Sequence, residues 1–392
     1  MTPAARIAAA IGLLDGWLAG GAAEQLLTNW SRANRYAGSG DRAAIRDLVF
    51  DALRCRRSVE ALGGGDTGRC MMIGLLRARG EDPQTLFTGE GYAPAPLTAS
   101  EQGGGLPPAD LPELVACDCP DGLAPDLRDS LGADFLSVMQ ALRLRAPVFL
   151  RINAARSTVA QVRAALAEEG IATRPHPLSP TALEVTEGAR RVRGSQAFAK
   201  GLVEVQDAAS QAVADIMPVP EGGKVLDYCA GGGGKTLALA ARVGATYAAH
   251  DAAPARMRDL PARAARAGAR VTCVQDPAAG APYDLVICDV PCTGSGAWRR
   301  SPEAKWRTTP ADLARLTQVQ AGILDRAAPL VAPGGALGYA TCSLIRAENG
   351  DQVAAFLARH DGWHLEAERR LTPLQGGDGF YAAVLRRRGG GC

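Results

Sequence analysis

Two cysteines in this chain sit in settings suited to covalent chemistry. Cys292 belongs to the run Asp289-Val290-Pro291-Cys292-Thr293-Gly294-Ser295-Gly296, and Cys342 to Thr341-Cys342-Ser343. Small polar and glycine neighbours leave each thiol approachable, whereas Cys229, Cys273 and Cys288 are expected to be inert packed thiols. A thiolate is the reactive form. Added to carbon-6 of a cytosine, it makes carbon-5 enamine-like, so that carbon-5 attacks a methyl sulfonium. A base must then take the carbon-5 proton before the thiol can leave. That sequence needs an activated cysteine, an acid-type partner for the ring and a resolving group. Cys292 and Cys342 are the candidate thiols for it.

A methyl donor needs its own cradle. Val225-Leu226-Asp227-Tyr228-Cys229-Ala230-Gly231-Gly232-Gly233-Gly234-Lys235-Thr236 reads as a buried strand, a glycine turn and a helix start. Glycines let a backbone approach a ligand closely, and the helix start offers free N–H donors. A P-loop ending in Gly234-Lys235-Thr236 requires glycine at 229, where cysteine stands, and the dinucleotide pattern G-x-G-x-x-G is only partly met. S-adenosyl-L-methionine needs less: a glycine turn for its amino-acid end and an acid for its ribose. Asp251 ends the next strand-like segment and suits the ribose hydroxyls. Asp276 follows the third and is expected to meet the adenine, and Asp289 follows the fourth. Acids at three successive strand ends are a stronger signal than the loop alone.

These groups require an alternating framework. Strands are predicted at 225–229, 246–250, 270–274, 285–288, 336–341 and 381–385, with helices at 235–242, 254–267, 310–330 and 347–360, which is the rhythm of a doubly wound α/β sheet over 206–392. Before it, residues 145–205 read strand (148–153), helix (158–169), strand (183–186), a small α+β module. Residues 1–88 are expected to be helical, with apolar spacing over 5–18 and 41–62 and Asp41 as a cap. Residues 89–144 are expected to be a Gly/Pro-rich linker followed by short helices.

Composition narrows the class. The chain has 392 residues, 47% hydrophobic and 21% charged, with a net charge of only +2, so it is no polyelectrolyte binder. Local basic groups remain for phosphate contacts: Arg143, Arg145 and Arg151; Arg190, Arg191 and Arg193; Arg299, Arg300, Lys305 and Arg307. Of these, the last four, just after the Cys292 loop, are expected to guide an RNA backbone. The ten cysteines (55, 70, 117, 119, 229, 273, 288, 292, 342 and 392) include no C-x-x-C pair, so no metal site is expected. With no leader-like start and no bilayer-length apolar run, a reduced cytoplasmic compartment is expected, without membrane association. Nothing suggests assembly beyond a monomer.

Over residues 145–388 the chain resembles the RNA 5-methylcytosine methyltransferases of the Sun/Fmu type, the ribosomal small-subunit methyltransferase B group, related to the Nop/NSun proteins. The resemblance rests on Asp-x-Pro-Cys-Thr-Gly-Ser-Gly, on Tyr339-Ala340-Thr341-Cys342-Ser343 with Glu348-Asn349 after it, on Gly379-Phe380-Tyr381, and on Gly201 and Gln206-Asp207. It implies a Rossmann-like class I methyltransferase core behind a ferredoxin/RRM-like module. It further implies Cys342 as nucleophile, Cys292 as the residue assisting release, and Asp289 at the polar edge of the cytosine. Cys229, Ala230, Gly231, Gly232, Gly233, Gly234, Lys235, Asp251, Arg256, Asp276 and Asp289 are implied as the S-adenosyl-L-methionine site, and 16S ribosomal RNA as the substrate. One departure is that Gly232 stands where the family's loop usually has proline, so a looser loop is expected. The helical part, through Tyr36 to Arg57, is similar to a NusB-like domain, which implies RNA docking, with a structural brace as the equal alternative. Two other functions stand open at this point. One is a DNA cytosine methyltransferase with Cys292 as nucleophile, and the other a non-catalytic RNA-binding assembly factor.

Overall fold

The apolar alternation that begins near Pro147 builds two sheets in the computed structural model, which describes residues 1–389; Cys392 lies outside the described residues. Val148–Ile152 (β1), Thr173–Pro175 (β2), Ala182–Val185 (β3) and Val203–Val205 (β4) form the smaller sheet, all antiparallel in the order β2-β3-β1-β4. A helix at Val159–Glu168, capped by Thr158, joins β1 to β2, and a short helix at Gln196–Ala199 precedes β4. Leu150, Ile152, Val162, Leu166 and Leu183 fill the layer between sheet and helix. This is the ferredoxin-like arrangement. β2 and β4 are only three residues each and went unread in the sequence.

The larger sheet contains Lys224–Asp227 (β5), Thr246–Ala249 (β6), Val271–Cys273 (β7), Tyr283–Asp289 (β8), Val331–Thr341 (β9), Trp363–Leu371 (β10) and Phe380–Arg387 (β11). Their order is β10-β11-β9-β8-β5-β6-β7. The five strands β9-β8-β5-β6-β7 run parallel, and β10 and β11 add an antiparallel edge. The core strands are near-continuous apolar runs because both faces are covered. On one face lie Ile323, Leu324, Val353 and Phe356; on the other lie Ala209, Ala212, Val213 and Met217. β10 was not foreseen. It is an outer strand reading His364-Leu365-Glu366-Ala367-Glu368-Arg369-Arg370, and charges of that kind blunt a sheet edge and hide the strand signal.

The contact pattern divides the chain into two units. One comprises residues 1–128, 132–145 and 298–308, and the other holds both sheets. In the first, the single helix expected over 41–62 is two, Ser39–Arg54 and Arg56–Gly63, broken at Cys55 with φ −112° and ψ 30°. Asp41 is not the cap. It lies inside the first turn, where it accepts from the Gly38 N–H at 3.3 Å and pairs with Arg6 at 2.8 Å. Nearly all of residues 89–144 belong to the helical unit.

The segment Trp298–Thr308 also belongs to that unit, which corrects the expectation for its cations. Lys305 is 1% exposed and Arg299 4%, and burial lowers the Lys305 ammonium below its ordinary range, opposed by nearby Asp118. Arg307 donates to the Gly21 carbonyl at 2.6 Å. Arg54, Trp306 and Trp17 likewise bind groups of this segment or lend theirs to it. Two of the four cations, Arg299 and Lys305, are therefore buried and cannot line an RNA path. Among the described residues no helix is long and apolar enough to cross a membrane, and no His, Cys, Asp and Glu cluster is arranged to hold a metal.

Candidate active site

Parallel strands place their carboxyl ends along one rim, and the strand order arranges the predicted side chains there in a row. Cys342 follows β9, Asp289 ends β8 and leads to Cys292, the glycine loop follows β5, Asp251 follows β6, and Asp276 follows β7. Asp289 is in register with Ala340, so the two cysteine loops leave neighbouring strands at the same level. The glycine loop lies beside the point where the winding reverses between β5 and β8, the place where open α/β sheets bind ligands.

Fifty residues apart in sequence, Cys292 Sγ and Cys342 Sγ are 3.4 Å apart. The loops are tied directly: Val290 N–H donates to Ala340 O and Gly296 N–H to Cys342 O, both at 3.0 Å. Gly296 N–H and C=O are both used, the carbonyl accepting from Gly379 N–H at 2.9 Å. A Cβ on Gly296 would stand 2.1 Å from Gly379 O. Glycines at 296 and 379 are thus the condition for three chain segments to meet around Cys342. The hydrogen bond with Cys342 and burial hold the Cys292 thiol well above its ordinary pKa. The two thiols therefore share one hydrogen bond, in which either sulfur can donate.

Lys235 and Asp289 form a second pair at 2.6 Å, with the ammonium 5.2 Å from the centroid of the Phe380 ring. The lysine is almost wholly buried while the carboxylate is about a third exposed, so Asp289 presents its free edge outward.

The glycine loop is held rather than loose. Gly233 has φ 75° and begins the helix Gly234–Ala240, and a Cβ there would lie 2.2 Å from Leu260. Gly232, where a proline was expected, has its carbonyl bound by Arg263. Gly234 O accepts from Arg151 at 2.8 Å and Gln206 at 3.3 Å. Arg151 is thereby removed from the phosphate-binding candidates: it is buried, its pKa lowered to about 10 by desolvation, and it braces the loop from β1. Neither brace was legible in the sequence, since nothing local marks Arg151 or Arg263 as loop partners.

Asp251 is 3% exposed and accepts from the N–H groups of Gly231 and Ala253, each at 2.9 Å, with Arg256 3.1 Å away. Asp276 is exposed and accepts from Ala278 N–H at the turn after β7. Cys229 is largely buried, its thiol pushed up to about 12 by desolvation, so it serves the loop through its backbone and bulk. Bidentate-capable Asp251, positive-φ glycines at 231 and 233, and the helix start fit the amino-acid and ribose ends of S-adenosyl-L-methionine.

Asp227, at the end of β5, was passed over. It is fully buried, receives Thr236 Oγ1 at 2.6 Å, and its Oδ1 has no partner. Desolvation raises its carboxyl to about 6. A raised acid favours the neutral form in the fold, so its contribution is intact below pH 4 and lost as pH rises through 6, about 3 kcal/mol in all. Asp227→Asn is expected to gain about that much relative to wild type between pH 4 and pH 7, read from urea unfolding. A difference that does not change with pH would show that the carboxyl titrates normally.

Two family models match. That described as 16S rRNA methyltransferase RsmB/F covers residues 214–386, and the ferredoxin-like domain of the RsmF/B-like methyltransferases covers 119–192. The chain is 33% identical over 285 residues to ribosomal RNA small subunit methyltransferase B of Salmonella typhi, a match spanning 69% of this chain and 66% of that protein. In fold it is similar to the crystal structure of PH0851, with TM-score 0.75 and 22% identity over 99% of both chains. A methyltransferase homolog protein from Pyrococcus horikoshii gives TM-score 0.63 and 23% identity, covering 72% of this chain and all of that one. With both cysteine motifs and the glycine loop falling inside the matched residues, the chain belongs to the RsmB/F methyltransferase family.

Proposed function

We propose that this protein methylates carbon-5 of a cytosine in 16S ribosomal RNA, using S-adenosyl-L-methionine and a covalent adduct on Cys342. The observation that carries this reading is the 3.4 Å approach of the Cys292 and Cys342 sulfurs beside the glycine loop. Cys229 to Lys235, with Asp251, Arg256, Asp276 and Asp289, hold the methyl donor, which supplies an electrophilic methyl group when bound. A cytosine outside a duplex stack reaches the rim. Cys342 forms a bond to carbon-6, and the ring π pair moves to carbon-5. The Cys292 S–H stabilises the attacking thiolate beforehand. Asp289, oriented by Lys235, meets the polar edge of the ring. Once carbon-5 carries the methyl group, carbon-5 gives its proton to water at the rim, the C–H electron pair returns to the ring, the carbon–sulfur bond breaks, and Cys342 leaves as the thiolate that the Cys292 S–H stabilises. A cytoplasmic location is part of the same proposal, since an RNA substrate of this kind would be met there.

Family membership and the ribosomal relatives favour the small-subunit RNA. Bisulfite sequencing of 16S RNA from cells with and without the protein is the direct test. The expected result is a cytosine protected only when the protein is present. Identical protection at every position in 16S RNA would remove this substrate from the proposal.

A further inference from the structure

We infer that Glu348 is the positioning residue that sets the spacing of the two thiols. It lies at the end of the turn Arg346–Glu348, just before the helix Gly350–Arg359, and its side chain is 0% exposed. One carboxylate oxygen accepts from Thr293 N–H at 2.8 Å and from Gln320 Nε2 at 3.1 Å. The other accepts from the hydroxyls of Thr293 and Ser343. Thr293 directly follows Cys292 and Ser343 directly follows Cys342, so a single carboxylate grips both loops one residue beyond each thiol. Gln320 extends the grip by donating also to Pro291 O at 3.0 Å. Asn349 fixes the second loop by donating to Ser343 O at 2.9 Å and accepting from Thr341.

Among the described residues no cation stands within ion-pair distance of this carboxylate. A buried charge compensated only by hydrogen bonds is a costly way to fill space, and an apolar side chain would serve packing alone better. What an apolar residue cannot do is accept four donors from two separate loops and an adjoining helix. The negative charge also helps to keep the Cys292 thiol protonated.

The role depends on reach and on hydrogen bonding, and two near-conservative changes separate these from charge. Glu348→Gln keeps the length; its carbonyl accepts from Thr293 N–H and Gln320, and its amide donates to the two hydroxyls, which turn to accept. Glu348→Asp keeps the charge but falls one methylene short of spanning both loops. The inference rests on the thiol-pair reading above, so its readout is kept independent of RNA. The full-length protein is treated with diamide, which takes two electrons and two protons from the thiol pair as the Cys292–Cys342 disulfide forms. The linked peptide is then followed by mass spectrometry. Wild type and Glu348→Gln are expected to link within about threefold of one another, and Glu348→Asp to link about tenfold more slowly. In RNA methylation, Glu348→Asp is expected to lower kcat about 100-fold while KM for S-adenosyl-L-methionine stays within about threefold. Wild-type linking by Glu348→Asp, or a tenfold loss in Glu348→Gln, overturns the inference. Should the aspartate variant not fold, the glutamine variant decides alone. If linking behaves as expected but none of the proteins methylates RNA, the cytosine chemistry fails and the positioning role stands.

Discussion

Cys342→Ala is expected to lower RNA methylation by about 10,000-fold or more, while Cys292→Ala should stall the enzyme on its substrate as a protein–RNA adduct stable to denaturing electrophoresis. The asymmetry follows from what each sulfur does. Without Cys342 there is no bond to carbon-6, and carbon-5 stays too weak a nucleophile for the methyl group; losses of this size are usual when a nucleophile is removed. Without Cys292 the first bond still forms, because the attacking sulfur is intact. What is lost is the S–H that steadies it and the help it gives to release, an acid–base contribution of about 100- to 10,000-fold. The geometry makes the two roles compatible with one pocket, since the sulfurs are 3.4 Å apart and burial with the shared hydrogen bond raises the Cys292 thiol above its ordinary pKa. The double variant is expected to form no adduct. Retained turnover in Cys342→Ala, with adduct lost only when Cys292 is changed, would assign the nucleophile to Cys292 and the chemistry to the DNA-enzyme type.

Asp251→Ala is expected to weaken S-adenosyl-L-methionine binding by about 100-fold in calorimetry. The side chain has two jobs that fail together. On the proposed reading it accepts the paired ribose hydroxyls just beyond β6, and charge-assisted hydrogen bonds of that kind contribute about 1.5–3 kcal/mol each. It also accepts from Gly231 N–H at 2.9 Å, so its removal frees the first residue of the glycine turn. Asp251→Asn retains an acceptor for one of these partners and is expected to fall between wild type and alanine. An affinity within threefold of wild type in Asp251→Ala would place the ribose elsewhere. The loss of about 100-fold in kcat expected for Glu348→Asp differs in kind, because it falls on the chemical step and leaves cofactor affinity in place.

The site was legible in outline because its chemistry is carried by short runs. Cys292 and Cys342, with their Pro, Thr, Ser and Gly neighbours, stand out from the other cysteines. The strand-then-glycine pattern at 225–236 marks a nucleotide-type loop whatever surrounds it, and acids after successive strands follow from the alternation itself. Each of these signals lies within about ten residues of chain, where backbone preference and side-chain type act together.

What the sequence determined by itself was therefore the methyltransferase family, the short motifs proposed to carry its chemistry, and the parallel α/β frame that sets them at strand ends. Tertiary structure decided which of those residues meet. Strand order put β8 beside β9 and so brought two thiols fifty positions apart into contact. It removed Lys305 and Arg151 from the phosphate-binding candidates by burying them, recruited Gln320 and Arg263 as braces that no local pattern singles out, and gave Glu348, marked in the sequence only as part of a motif, a partner in each cysteine loop. The reason is physical. A long polar side chain has no preferred partner until the fold removes water from around it, and only then does desolvation oblige it to find donors or acceptors wherever packing has placed them.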